Sequence, residues 1–315
     1  MEEKNIALIS SARPSMLRLS LTCVLEQTLP FHRVVVVAWG QDLESVRREA
    51  ETHSRVEVVT AGSVGSASKH RNLGLAYASK FKPKHVAFID DDTFLDKAWH
   101  FSVARAAQMS KGQCSVGGIV MFASDWSKIQ SGGHVFTSYR PRDIGYGADA
   151  SEDLSPQVQY DDPDTFTCPC ANSAFVSWTA LETIRRIDGA YWDERFPRLT
   201  CFELGFKLHR LGQGYVIAPG ALAAHDGYLH RKALRKHDAV EQLLSRMLLY
   251  RKFLPAARAI EALQDLDARV VRWATHGYPS SRLNSREVVD AYNEALALAE
   301  QCTFDEKWRT LIATE

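Results

Sequence analysis

Apolar positions in the first third of the chain fall into short unbroken runs separated by stretches with helical spacing. NIALISS (5–11) and HVAFID (85–90) read as buried strands, RVVVVAW (33–39) is a continuous β-branched run of the kind covered on both faces, and VEVVTA (56–61) reads as a further strand between them. The stretch 14–27 puts Leu17, Leu21, Val24 and Leu25 on one helical face, with Pro14 in its first turn, where a missing backbone donor costs nothing. HRNLGLAYASK follows the third run, and another helix reaching about residue 110 follows the fourth. Strands alternating with helices predict an α/β doubly wound sheet, in which ligands gather beyond the carboxyl ends of the strands.

The regular pattern then changes. QCSVGGIVMF (113–122) reads as a strand, and 123–165 as a long polar loop rich in Gly, Asp and Ser, a length usually reserved for function or mobility. NSAFVSWTALETIRRI (172–187) is strand then helix, CFELGFKLHRLG (201–212) an amphipathic helix stopped by Gly212, and YVIAPGALAAHDG (215–227) a last strand with its exit loop. Residues 231–315 read as helix throughout, with leucines at helical intervals from 234 to 249 and capping-box spacing at Asn284–Glu287 and Thr303–Glu306. The chain therefore divides at residue 230 into an α/β domain and a helical appendage.

Composition adds mostly exclusions. With 45% hydrophobic and 24% charged residues over 315 positions, the chain has an ordinary globular make-up. Its 38 basic and 38 acidic residues balance, which argues against nucleic acid as a partner. The start, MEEKNIALISSARP, has the pattern of neither a secretory signal nor a membrane span, so a cytoplasmic location is expected. Six scattered cysteines show no CxxC or zinc-ligand spacing and read as reduced thiols.

The candidate chemistry sits where HVAFID ends. Asp90, Asp91 and Asp92 stand in a row at the carboxyl end of a buried strand. One aspartate would suffice to cap a following helix. Three concentrate negative charge where an α/β sheet binds ligands, and a divalent cation relieves it most simply. Such a cation, held by one or two carboxylates, completes its shell with phosphate oxygens, which points to a nucleotide diphosphate.

Taken with SVGSASKHRNLGLAYA before it and CANSAFVSWTALETIRRIDGAYWDERF, FELGFKLHRLG and APGALAAHD after it, FIDDDTFLDKAW resembles glycosyltransferase family 2, over about residues 5–228. The resemblance implies a GT-A type fold, a doubly wound mixed sheet, and transfer of a sugar from a nucleotide-diphosphate donor, most simply a UDP-sugar, with Mn²⁺ or Mg²⁺. Asp90 and Asp92 match the outer residues of the DxD motif, the first near the ribose with Asp91 beside it, the second on the metal. His225 matches a histidine that completes the metal site, Arg71 a basic residue near the nucleotide, and Ser10 to Arg13, including Ala12, the loop around the base. Asn172 matches a position lining the sugar pocket, and Trp192 a wall of the sugar or acceptor site.

Two departures stand out against that family. Where an acid usually reads the nucleobase, this chain has Ala38-Trp39-Gly40, so Trp39 is expected to stack on the base. Where the family has an acidic pair whose aspartate deprotonates the acceptor, Thr200 and Cys201 stand here. Glu203 is then the expected catalytic base for an inverting reaction, although it could equally pair with Lys207 one turn on, and Asp162 and Asp164 are the reserves. FELGFK also has a likeness to retaining polypeptide transferases. Carbohydrate, lipid-linked, protein and small-molecule acceptors stay open, as do peripheral membrane association through HRKALRKH (230–237) and pairing of chains through the C-terminal helices. The alternatives are a catalytically impaired nucleotide-sugar binding scaffold and a nucleotidyltransferase, though SSARPSM lacks the Gly-rich basic loop expected of the latter.

Overall fold

The computed structural model describes residues 4–62, 65–152, 154, 162–226, 235–278 and 283–311. Most of HRKALRKH lies outside the described residues. The chain opens with β1 (Ile6–Ser11), α1 (Pro14–Leu25), β2 (Arg33–Ala38), α2 (Leu43–Ala50), β3 (Val56–Thr60), α3 (Ala67–Ala78) and β4 (His85–Asp90). These strands pair in parallel in the order β3-β2-β1-β4. Alternate residues of β1 point into different cores. Ala7 and Ile9 pack with Leu17, Leu21 and Val24 of α1, while Leu8 packs with Phe88 and Leu75. Burial on both faces explains the unbroken apolar runs.

The sheet continues with β5 (Thr93–Leu95), α4 (Trp99–Met109), β6 (Cys114–Phe122), β7 (Asp125–Ser131), β8 (His134–Thr137), β9 (Arg140–Asp143), β10 (Phe166–Cys168), β11 (Ser173–Ser177), α5 (Trp178–Asp188), α6 (Thr200–Arg210) and β12 (Gly214–His225). β11 runs antiparallel between β4 and β6, giving the mixed order β3-β2-β1-β4-β11-β6-β12-β5. The stretch 123–165 is not one loop. β7 pairs with β6, and β8 forms a small antiparallel sheet with β9 and β10. The β8–β9 hairpin turns through Ser138 and Tyr139, both at positive φ (47° and 59°). A two-residue loop with that geometry normally carries Asn or Gly, so its sequence gave no turn signal. Tertiary contacts hold it instead: Tyr250 donates to the Tyr139 carbonyl at 2.7 Å, and Tyr139 Oη donates to Glu261 at 2.7 Å.

Those contacts come from the C-terminal helices α7 (Lys236–Phe253), α8 (Ala256–His276), α9 (Ser285–Glu300) and α10 (Lys307–Thr310). Asn284 forms the expected capping box with Glu287. Thr303–Glu306 does not, since α10 starts at Lys307 with Glu306 as its N-cap. Leu243, Met247, Tyr250 and Phe253 of α7 share one core with Phe202, Phe206 and Leu208 of α6. Among the described residues no helix is long and apolar enough to cross a membrane.

Candidate functional site

The three aspartates at the end of β4 turn toward different partners. Asp91 is buried: it accepts from Ser11 Oγ at 2.7 Å and from Arg13 Nε at 3.2 Å, with Arg13 Nη2 against its other oxygen. Asp92 lies 3.0 Å from Arg13 Nη2 and 3.1 Å from His225 Nε2. Asp90 is the most open, its Oδ1 3.3 Å from Arg71 Nη2. Two arginines and a histidine thus already balance much of the charge that the sequence alone assigned to a metal.

Each cation is placed by secondary structure. Arg71 lies in α3, buried, and is oriented by a 2.8 Å bond to Thr200 Oγ1 at the start of α6. His225 ends β12, where Nδ1 meets Gln130 Oε1 of β7 at 3.1 Å. Fixing one ring nitrogen turns the other toward Asp92. Burial alone would push the Asp92 carboxyl up, but His225 and Arg13 outweigh it and hold the group at about 2. Burial likewise opposes the His225 imidazolium, while Asp92 raises it above the usual histidine range.

Asp90, Asp92 and His225 bring one ligand atom each to within 4.8 Å of one another. Two carboxylate oxygens and an imidazole nitrogen suit a divalent ion that also binds phosphate. These residues line a cleft of about 280 Å³ that Ser10, Arg13, Trp39, Arg71 and Asp91 share. Ala12 does not line it; it packs against the turn at Gly40 (φ +92°), where a Cβ would come within 2.9 Å of Ala12 Cβ. Trp39, also in the cleft lining, lies against His70, with ring centroids 4.6 Å apart. His70, which sequence reasoning missed, has Nδ1 3.2 Å from Ser10 Oγ; its Nε2, like Trp39 Nε1, is buried with no hydrogen-bond partner among the described residues. Burial and the neighbours Lys69 and Arg71 lower its basicity, so it is neutral near pH 7. Two buried nitrogens unsatisfied among the described residues, on aromatic rings tilted by 33° that line the cleft, suit a heterocyclic base.

The expected bases lie elsewhere. Glu203 is fully buried in α6, paired with Lys207 one turn on and 3.4 Å from Lys252 Nζ. It belongs to a closed ion cluster in which Lys207 also meets Asp188 at 2.6 Å and Lys252 meets Asp188 and Asp193 at 2.9 and 2.8 Å. The helical pattern that put Glu203 near the N-terminus of α6 was right, but that side of the helix faces the C-terminal helices. Asp162 pairs with Arg258 at 2.5 Å and the buried Asp164 with Arg210 at 2.5 Å and Arg258 at 3.1 Å; neither lines the cleft. Trp192 is fully buried, edge-on to Phe88 and donating to the Thr200 carbonyl at 3.1 Å, hence core rather than wall. Asn172 is buried, its Oδ1 without a hydrogen-bond partner among the described residues.

No family model and no curated protein matches the chain. Solved structures do match its fold. A crystal structure of S. aureus TarS 1-349 superposes with a TM-score of 0.57 at 14% identity, covering 94% of this chain and 81% of that one. The same protein in complex with UDP-GlcNAc gives 0.54 at 14%, covering 98% and 84%. GalNAc-T7 with UDP, GalNAc and Mn²⁺ gives 0.60 at 10%, covering 94% of this chain but 56% of that one. At such low identity the likeness is one of architecture: a curled mixed sheet flanked by helices, of the GT-A type.

Proposed function

We propose that the chain transfers a sugar from a uridine-diphosphate donor to an acceptor hydroxyl. The observation that carries this reading is the convergence of Asp90, Asp92 and His225 in a cleft that the contacting rings of Trp39 and His70 also line. A nucleoside diphosphate has the matching parts, an aromatic base and a metal-binding diphosphate. The UDP, UDP-GlcNAc and Mn²⁺ present in the similar structures support it.

In this reading Asp90, Asp92 and His225 hold Mn²⁺ or Mg²⁺, which supplies Lewis-acid stabilisation of the leaving diphosphate. Arg71, locked by Thr200, fixes the open Asp90 carboxylate and adds positive charge beside it. Arg13, 45% exposed on the rim, holds Asp91 and Asp92 in register and lends its charge to the same end of the cleft. Trp39 and His70 shut water from the base. The transferase unit is residues 1–230, with 231–315 as a helical cap.

Inversion requires a base beside the acceptor. The burial of Glu203 and the arginine pairing of Asp162 and Asp164 favour a second reading, retention, in which none of the three takes the proton. The test is incubation with UDP-sugars and Mn²⁺. A cognate donor at a hundred times its Kd should stabilise the fold by about 2.7 kcal/mol, and UDP should be released slowly in a metal-dependent way. The anomeric configuration of the product, read by NMR, separates the two courses. Binding without turnover on any acceptor would favour the scaffold alternative, and no stabilisation by any nucleotide sugar would sink the proposal.

A further inference from the structure

A second convergence of metal-binding atoms shares no residue with the aspartate site. His134 of β8, Cys170 of the β10–β11 loop and Cys201 in the first turn of α6 bring their ligand atoms to within 4.8 Å of one another. We propose that these three side chains form a thiolate site for a soft divalent cation, Zn²⁺ by its chemistry, distinct from the oxygen-rich site of Asp90 and Asp92.

Four observations carry the assignment. The donor set, two sulfurs and one imidazole nitrogen, is that of zinc sites with three protein ligands and one open position, and it disfavours Mn²⁺ and Mg²⁺, which prefer oxygen. The imidazole has a carboxylate beside it: β8 and β9 place His134 opposite Asp143, whose Oδ1 lies at ion-pair distance, 2.8 Å, from Nδ1. A carboxylate on one ring nitrogen with the metal on the other is the usual way such a ligand is oriented. The Ala171 amide donates to Cys201 Sγ at 3.3 Å, a contact that stabilises negative charge on sulfur. Finally, Cys170 and Cys201 are only partly buried while His134 is buried, so the ligands are anchored on one side and accessible on the other.

The neighbouring Cys168 takes no part. It packs beneath α6, where a Cβ on Gly205 would meet its Cβ at 2.6 Å, so the Cys168-Pro169-Cys170 pair offers one ligand rather than two. Ligands from positions 134, 170 and 201 have no sequence spacing to recognise, and only the pairing of β8 with β9 and β10 and the docking of α6 bring them together.

The full chain, freed of any metal-binding tag, is loaded with Zn²⁺, dialysed, and its metal counted by mass spectrometry; a parallel sample is loaded with Co²⁺. One zinc per chain and a thiolate-to-cobalt charge-transfer band are expected, with both lost in Cys170→Ser and Cys201→Ser. Asp143→Asn should weaken zinc binding by about 10- to 100-fold. Asp92→Asn should leave zinc content unchanged, which separates this site from the one proposed for the sugar donor. Absence of the cobalt band from the unmodified chain overturns the assignment even if the serine variants fail to fold. So would equal zinc retention in folded serine variants, loss of zinc in Asp92→Asn, or a Cys170–Cys201 disulfide in the freshly isolated protein.

Discussion

Asp92 holds two counter-charges at once, Arg13 at 3.0 Å and His225 at 3.1 Å. Converting it to Asn keeps the shape and removes the charge that a bridging cation needs. Hydrogen bonds to charged groups contribute about 1.5–3 kcal/mol, so D92N should weaken Mn²⁺-dependent donor binding by at least about tenfold. Calorimetry with and without Mn²⁺ checks this, and an affinity unchanged in both conditions would remove Asp92 from the site. Glu203 calls for the opposite expectation. Its carboxylate neutralises Lys207 and Lys252 inside the fold, and breaking a buried pair costs about 3–5 kcal/mol. E203Q should therefore lower the denaturation midpoint while its folded fraction binds donor normally. Full stability combined with lost transfer would restore Glu203 as the base.

At the scale of elements, α3 shows how packing overrides propensity. Gly74 is mid-helix, where Gly is about 1 kcal/mol worse than Ala. A Cβ there would meet Leu8 Cδ1 at 2.6 Å and Val37 Cγ2 at 2.8 Å, so the glycine lets α3 seat directly on β1 and β2. Overpacking costs about 1–3 kcal/mol, more than the propensity gain, and G74A should be destabilised by about 1 kcal/mol in urea unfolding. Because α3 also carries His70 and Arg71, donor binding should weaken with it; a more stable G74A would contradict this close packing. The same contrast explains what was legible beforehand. Strands β1, β2 and β4 were readable because burial on both faces writes itself as unbroken apolar runs. The β8–β9 hairpin was not, because its turn residues are Ser138 and Tyr139 and its stability comes from Tyr250 and Glu261, over a hundred residues away. Helix α2 was missed because only Val46 and Ala50 of its eight residues are buried. The acidic end of the site was legible as three adjacent aspartates, whereas Arg13 as their counter-ion and the seclusion of Glu203 depend on which face of each element meets which neighbour.

Over the whole molecule, the ion cluster of Asp188, Asp193, Glu203, Lys207 and Lys252 joins the α/β layer to the C-terminal helices. Trp308 of α10 adds to it, donating to Asp188 at 3.1 Å. Burial alone would raise the acids. Lys207 and Lys252 bring Asp188 below the usual carboxylate range, and Arg195 and Lys252 bring Asp193 lower still. Lys252 moves the other way: burial opposes its charge, but Glu203, Asp193 and Asp188 raise it. Depressed acids contribute stability that is complete above their unfolded value, near pH 4, and is lost as pH falls through the folded one. A raised lysine contributes stability that is complete below its unfolded value, near pH 10, and is lost as pH climbs past it. The cluster should therefore hold α7 and α10 on α5 and α6 over a broad neutral plateau with a distinct acid limb. Replacing Lys252 by Met, close to it in length but uncharged, leaves the buried acids short of a partner and should cost about 3 kcal/mol at pH 7. Protonating those acids removes the need for that partner, so the gap between the variant and the parent should narrow steadily in urea titrations from pH 5 toward pH 2. A gap that stays constant across that range would mean that α7 is held by its apolar face alone.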